Sequence, residues 1–149
     1  MSLPMVVIGS DHAGFDLKTA ITRHLREAGY EVRDLGAHSQ ESCDYPLVAG
    51  DLCREVLASE HPGILICGTG LGMSIAANRI PGIRAALCTN EYLARMTRAH
   101  NNANVLCLGS RVLGDELAKS IVNVFLASGF EGERHQRRID QIETLKTKS

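Results

Sequence analysis

The chain is predicted to be an α/β protein built on a five-stranded parallel sheet covered on both faces. Three observations lead there. Short apolar runs alternate with amphipathic segments along all 149 residues, five times over. The runs read as buried strands, and each is followed by a helical pattern, the arrangement that yields parallel strands joined by crossover helices. Glycine and proline punctuate the hand-overs between them.

The elements follow in order. Residues 5–9 form the first apolar run. Residues 14–28 carry Leu17, Ile21, Leu25 and Ala28 at helical spacing and stop at Gly29. A second strand over 31–35 leads into a polar loop holding Cys43-Asp44-Tyr45-Pro46, and a helix follows near 47–60. The run Gly63-Ile64-Leu65-Ile66-Cys67 then breaks into Gly68-Thr69-Gly70-Leu71-Gly72, read as a turn into a helix over roughly 73–79. Pro81-Gly82 resets the chain before a strand over 83–88. A helix over about 90–100 ends near His100-Asn101-Asn102, and a strand over 104–108 runs into Gly109-Ser110-Arg111. An amphipathic helix over 114–128 stops at Gly129, and a basic segment from Arg134 forms the last, mostly polar helix. No repeat, low-complexity stretch or linker interrupts this order, so 1–149 is expected to be a single domain.

Composition narrows the class. A hydrophobic content of 44% and a charged content of 22% are those of an ordinary globular protein. The formal net charge of -1 gives no argument for nucleic acid or membrane as a partner. No apolar run approaches the roughly 18 residues that a bilayer demands, and the first residues lack the basic leader of a signal peptide. The cysteines at 43, 53, 67, 88 and 107 are odd in number and form no CxxC pair, which points to reduced thiols in a cytoplasm.

Ligands of such sheets sit beyond the carboxyl ends of the strands. Ser10, Asp11 and His12, then Cys67 to Gly72, then Ser110 and Arg111 are expected to share that rim. Cys67 stands out because a thiol at a strand end meets a glycine-rich helix start. Free N–H groups there favour an anion, and a helix start favours the thiolate. Cys53, Cys88 and Cys107 lack that setting and read as core. The glycines do not fit a dinucleotide motif, because the third small residue would fall at Met73 and the turn follows the third strand.

Other candidates keep two readings each. Asp11 either caps the next helix or contacts a ligand. His12 at the rim suits phosphate binding or proton transfer. His100-Asn101-Asn102 reads as a helix end as readily as a site. Arg134 and Arg138 share a helix face at i, i+4, either as a solvated surface or as a fork for phosphate oxygens.

Taken together, Gly9-x-Asp11-His12-x-Gly14-Phe15, Asp44-Tyr45-Pro46, Ile66-Cys67-Gly68-Thr69-Gly70-x-Gly72, Ala76-Ala77-Asn78, His100-Asn101 and Gly109-Ser110-Arg111 resemble one family. It is that of the type B ribose-5-phosphate isomerases, grouped with the galactose-6-phosphate isomerase subunits. The resemblance runs from about Val6 to Arg138. It implies a Rossmann-like three-layer sandwich with a C-terminal helix, and aldose–ketose isomerisation of a phosphorylated sugar with no cofactor and no metal. It also implies a homodimer, or a dimer of dimers, with sites shared between subunits.

By this resemblance Cys67 matches the base that moves a proton between C1 and C2 through a cis-enediolate. The backbone of Gly68, Gly70, Leu71 and Gly72 would hold the oxyanion with Thr69 assisting, and His100 would open the sugar ring from the partner subunit. Asp11 would meet sugar hydroxyls and Tyr45 would line the site. His12, Arg111, Arg134 and Arg138 would share the phosphate, and Asn101 would bind the enediolate end. Some members replace the cysteine by a glutamate just after the glycine turn; here that position is Met73, so the chain follows the cysteine pattern. The expected activity is interconversion of ribose 5-phosphate and ribulose 5-phosphate in the pentose phosphate pathway. The alternatives are a hexose phosphate such as allose 6-phosphate or galactose 6-phosphate, or a non-catalytic domain that binds a sugar phosphate or nucleotide.

Overall fold

A computed structural model describes residues 4–145. The elements are β1 (Met5–Ser10), α1 (Phe15–Glu27), β2 (Glu31–Asp34), α2 (Tyr45–Ser59), β3 (Gly63–Cys67), α3 (Leu71–Ala77), β4 (Ala85–Leu87), α4 (Glu91–Asn101), β5 (Val105–Gly109), α5 (Asp115–Ala127) and α6 (Arg134–Glu143). The five strands form one sheet in the order β2-β1-β3-β5-β4, and every pairing is parallel. This is a Rossmann-like three-layer α/β sandwich with a C-terminal helix.

Side chains leave a strand alternately to its two faces, and the core divides accordingly. Val6, Ile8, Ile64, Ile66, Leu106 and Leu108 pack against α1, α4 and α5. Val7, Leu65, Cys67, Val105 and Cys107 pack against α2 and α3. All five residues of β3 and all five of β5 are buried. Each fully buried Leu, Ile or Val contributes about 1.5–3 kcal/mol, so the two apolar faces dominate the stability.

The strand order creates the place for a site. From β1 the chain moves outward to β2, then crosses back over β1 to β3 and builds the other half of the sheet. The carboxyl ends of β1 and β3 therefore flank a topological switch point, where loops diverge and leave a crevice. The register sets Ser10 beside Ile66 and Cys67 beside Gly109, so the chain exits from β1, β3 and β5 meet at one rim.

Three boundaries differ from the sequence reading. Helix α3 begins at Leu71 rather than 73, because Gly70 adopts φ +81° and turns the chain into the helix at once. Helix α2 begins at Tyr45 rather than 47, with Pro46 in its first turn. Strand β4 is shorter than 83–88, since Ile83 closes a turn onto Ile80 and only Ala85–Leu87 join the edge. Asn78 clips that edge strand in place, donating to the Ala85 carbonyl and accepting from the Ala85 N–H at 2.9 and 2.8 Å.

Candidate active site

Cys67 closes β3 and is 5% exposed. Its Sγ accepts a hydrogen bond from the Gly70 N–H at 3.2 Å. The turn thus aims a backbone donor at the sulfur, a contact that strengthens when the acceptor carries charge. Thr69 Oγ1 accepts from the Leu71 N–H at 3.2 Å and shapes the turn from its outer side. Two of the turn's N–H groups are therefore engaged, which narrows the expectation that its whole backbone faces an oxyanion.

The neighbouring chain exits are stitched to this turn. The Ser110 N–H donates to the Cys67 carbonyl and the Arg111 N–H to the Gly68 carbonyl, both at 2.9 Å. Ser110 Oγ lies 2.8 Å from the Ala13 carbonyl and 3.2 Å from that of Cys67, joining the exits of β1, β3 and β5. The Arg111 guanidinium lies over Gly68, where an added Cβ would stand 2.9 Å from Nη1. The Tyr45 ring lies over Gly72, where a Cβ would come within 2.7 Å of it.

Asp11 resolves in favour of its structural role on one oxygen: Oδ1 accepts from the Gly14 N–H at 3.0 Å. His12 Nδ1 accepts from the Cys43 N–H at 3.2 Å. In the neutral ring this acceptor role puts the proton on Nε2, leaving an N–H to offer a ligand. Asp11, His12, Tyr45, Cys67, Gly68, Thr69, Gly70, Leu71, Gly72 and Arg111 therefore gather at one rim.

His100 and Asn101 do not join them. Helix α4 runs antiparallel to the strands and ends just before β5, and the Gly63 N–H at the start of β3 donates to the Asn104 carbonyl at 2.9 Å. Four residues of β3, roughly 13 Å of strand, separate that level from Cys67. The turn reading of this segment holds for Asn102, which ends α4 at φ +45°. Helix α6 docks beside it, and the Glu131 N–H donates to the Ala99 carbonyl at 3.0 Å. Arg134 and Arg138 are exposed on α6 and make no ion pair among the described residues.

Sequence reasoning missed the partners of His100. The His135 ring stacks on that of His100 with centroids 4.2 Å apart and planes 11° from parallel. His135 is 6% exposed, and burial first, then the charges of His100 and Arg134, hold it below the ordinary imidazole range. Glu131 sits 3.8 Å from His100 Nε2 and 3.9 Å from His135 Nε2. The i, i+4 spacing of Glu131 and His135 was the available signal, one that the charge run around it concealed.

Cys53, Cys88 and Cys107 are core, as expected. Burial pushes Cys53 and Cys88 up to about 11 and Cys107 higher still. Met73 is wholly buried against α2 and β5 and offers no base. No helix of the described residues is long and apolar enough to cross a membrane.

A buried thiol under a glycine turn, at the switch point of a doubly covered parallel sheet, places the chain among α/β proteins that bind small ligands at strand ends. The chain belongs to the ribose/galactose isomerase family, whose model matches residues 6–142. It is 50% identical over 141 residues to ribose-5-phosphate isomerase B of Escherichia coli, covering 94% of this chain and 95% of that one. The structure of ribose-5-phosphate isomerase B from Clostridium thermocellum superposes with a TM-score of 0.92 at 52% identity, covering 93% of this chain and 95% of the other. That of the Mycoplasma genitalium enzyme with bound ribulose-5-phosphate gives 0.90 at 44% identity, covering 96% of each chain.

Proposed function

We propose that the chain is an aldose–ketose isomerase that interconverts ribose 5-phosphate and ribulose 5-phosphate through a cis-enediolate. Residues 1–149 act as one sugar-phosphate isomerase domain in the cytoplasm. The observation that carries the reading is the Cys67 sulfur, held at the switch point with a backbone N–H on it. Relatives at about this similarity named for the same reaction, one of them with its ketose bound, support the substrate.

The proton on C2 of the open-chain aldose is weakly acidic, so the reaction needs a base and a stabiliser of the oxyanion. The Cys67 thiolate takes that proton, and the C–H electron pair forms the enediolate double bond while the carbonyl oxygen becomes anionic. The hydroxyl proton of O2 then passes to the anionic O1, and the Cys67 thiol returns its proton to C1 as the C2 oxygen becomes the ketone. Positioned base catalysis supplies about 10²–10⁴-fold, and each oxyanion donor about 3 kcal/mol. Thr69 and the free N–H groups of the turn hold the oxyanion. Asp11, through the oxygen not bound to Gly14, meets sugar hydroxyls, and Tyr45 walls the pocket.

His100, Asn101, Arg134 and Arg138 serve the same reaction from a second copy of the chain. Within one protomer they stand at the opposite end of the sheet from Cys67. Leu47, Leu71 and Ile75 expose 68%, 55% and 69% of their surface on α2 and α3, next to the turn, an apolar face suited to an isologous contact. In that homodimer His100 opens the sugar ring, Asn101 binds the enediolate end, and the partner's arginines join His12 and Arg111 on the phosphate.

Conversion of ribose 5-phosphate to ribulose 5-phosphate by the purified protein, with Cys67→Ser alongside, tests this. Turnover lost in the variant supports it; equal turnover by both removes Cys67 as the base. The breadth of the family name keeps a hexose phosphate as the second reading, and a higher kcat/KM for galactose or allose 6-phosphate would establish it.

A further inference from the structure

The geometry points to a transition-metal site on His100, Glu131 and His135, at which Zn²⁺ or Cu²⁺ would bind and arrest the enzyme. One ligand atom from each residue lies within 4.8 Å of the other two. A tetrahedral ion with bonds of about 2.0–2.2 Å spaces its donors roughly 3.3–3.5 Å apart. The His100 and His135 Nε2 atoms stand 3.8 and 3.9 Å from the carboxylate oxygens of Glu131, so these two contacts reach that spacing with shifts of about half an ångström.

A second, independent observation points the same way. His135 Nε2 is buried and has no hydrogen-bond partner among the described residues. An unsatisfied buried polar atom is destabilising, and a metal ion taking its lone pair would remove that penalty. Glu131 is 55% exposed on its side chain and free to swing toward an ion. Two imidazoles and one carboxylate leave a fourth position open to water, the donor set of an accessible zinc site rather than a closed structural one.

The same details weigh against very tight binding. The lone pairs of the stacked rings lie in nearly parallel planes 4.2 Å apart between centroids, so one ring must rotate before both can reach a single ion. Arg134 and Arg138 on the adjoining helix repel a dication. Micromolar rather than nanomolar affinity follows. Imidazole donors select Cu²⁺ and Zn²⁺, whereas Mg²⁺ prefers oxygen and water. Because the site uses His100, its filling would compete with the sugar phosphate; catalysis itself would need no metal.

Calorimetric titration of the purified protein with ZnCl₂, alongside Glu131→Gln and His135→Asn, tests the site without depending on turnover. One Zn²⁺ per chain is expected, with affinity at least tenfold weaker in both variants and no binding of MgCl₂. The Co²⁺-loaded protein should lack a thiolate charge-transfer band. Equal zinc affinity in Glu131→Gln would overturn the proposal, as would such a band, which would place the metal on the cysteines. In the turnover assay Zn²⁺ should inhibit wild type at least tenfold more strongly than Glu131→Gln; equal inhibition would overturn the regulatory part.

Discussion

Lys18→Met probes the support beneath the rim. Lys18 is 2% exposed, and its Nζ donates to both oxygens of Asp34 at 2.7 and 2.6 Å and to the Ala37 carbonyl at 2.5 Å. Removing one partner of a buried ion pair costs about 3–5 kcal/mol, because the other charge is left uncompensated. Asp34 is 28% exposed, so water and the Gly36 N–H meet part of its need. Screening of that kind lowers the expected loss to about 2–3 kcal/mol. For a chain of this size that corresponds to a Tm lower by about 4–12 °C.

The effect should also reach the ligand rim. The Ser10 N–H donates to the Gly36 carbonyl and the Ala37 N–H to the Ser10 carbonyl, both at 2.6 Å, one residue before Asp11 and His12. KM should therefore rise more than kcat falls. Thermal unfolding of wild type, Lys18→Met, Asp34→Asn and the double variant forms a closed cycle. The double variant should be more stable than Lys18→Met, since it leaves no stranded carboxylate. A Lys18→Met protein within 2 °C of wild type, or a double variant with the summed losses, would refute the reasoning.

Cys67→Ser should lower kcat by about 10²-fold or more with ligand affinity held within a few-fold, measured by turnover and by titration with a sugar phosphate. Gly70→Ala forces a side chain into φ +81° and sets its Cβ 2.5 Å from Leu87 Cδ1 and 3.0 Å from the Leu108 backbone. A loss of about 2–4 kcal/mol in chemical denaturation follows, and an unchanged midpoint would contradict it. Arg134→Ala and Arg138→Ala should raise KM about tenfold each, more at low salt, while kcat stays close to wild type; a KM that does not move returns α6 to a plain surface. His100→Asn should impair cyclic substrate more than an open-chain one, and equal losses would exclude ring opening.

Much of the fold was legible because it rests on local signals. The apolar run at 63–67 is a strand with every residue buried, the run expected over 104–108 forms one at Val105–Gly109, and Gly29 does stop α1, at φ +100°. Strand-end logic also brings His12, Cys67 and Arg111 together, since each stands at or just beyond the carboxyl end of a strand. What escaped depends on contacts between distant segments. The Lys18–Asp34 pair spans 16 residues and forms only once α1 and β2 lie on the same side of β1. The His100–His135 stack needs α6 to dock on α4. Strand β4 shrank because edge pairing is decided by the Asn78 clip and not by apolar content.

The placement of His100 at the far end of the sheet from Cys67 has a genetic consequence. If each site draws its thiol from one chain and its imidazole from another, two dead alleles can rescue each other. Co-expressed Cys67→Ser and His100→Asn chains would form mixed pairs in which one site has lost both groups and the other has kept both. Random assortment would restore about a quarter of wild-type turnover, and neither variant alone would show it. The chain is then the unit of inheritance and the pair is the unit of selection, and a chain that lacks both groups would silence both sites of a mixed pair.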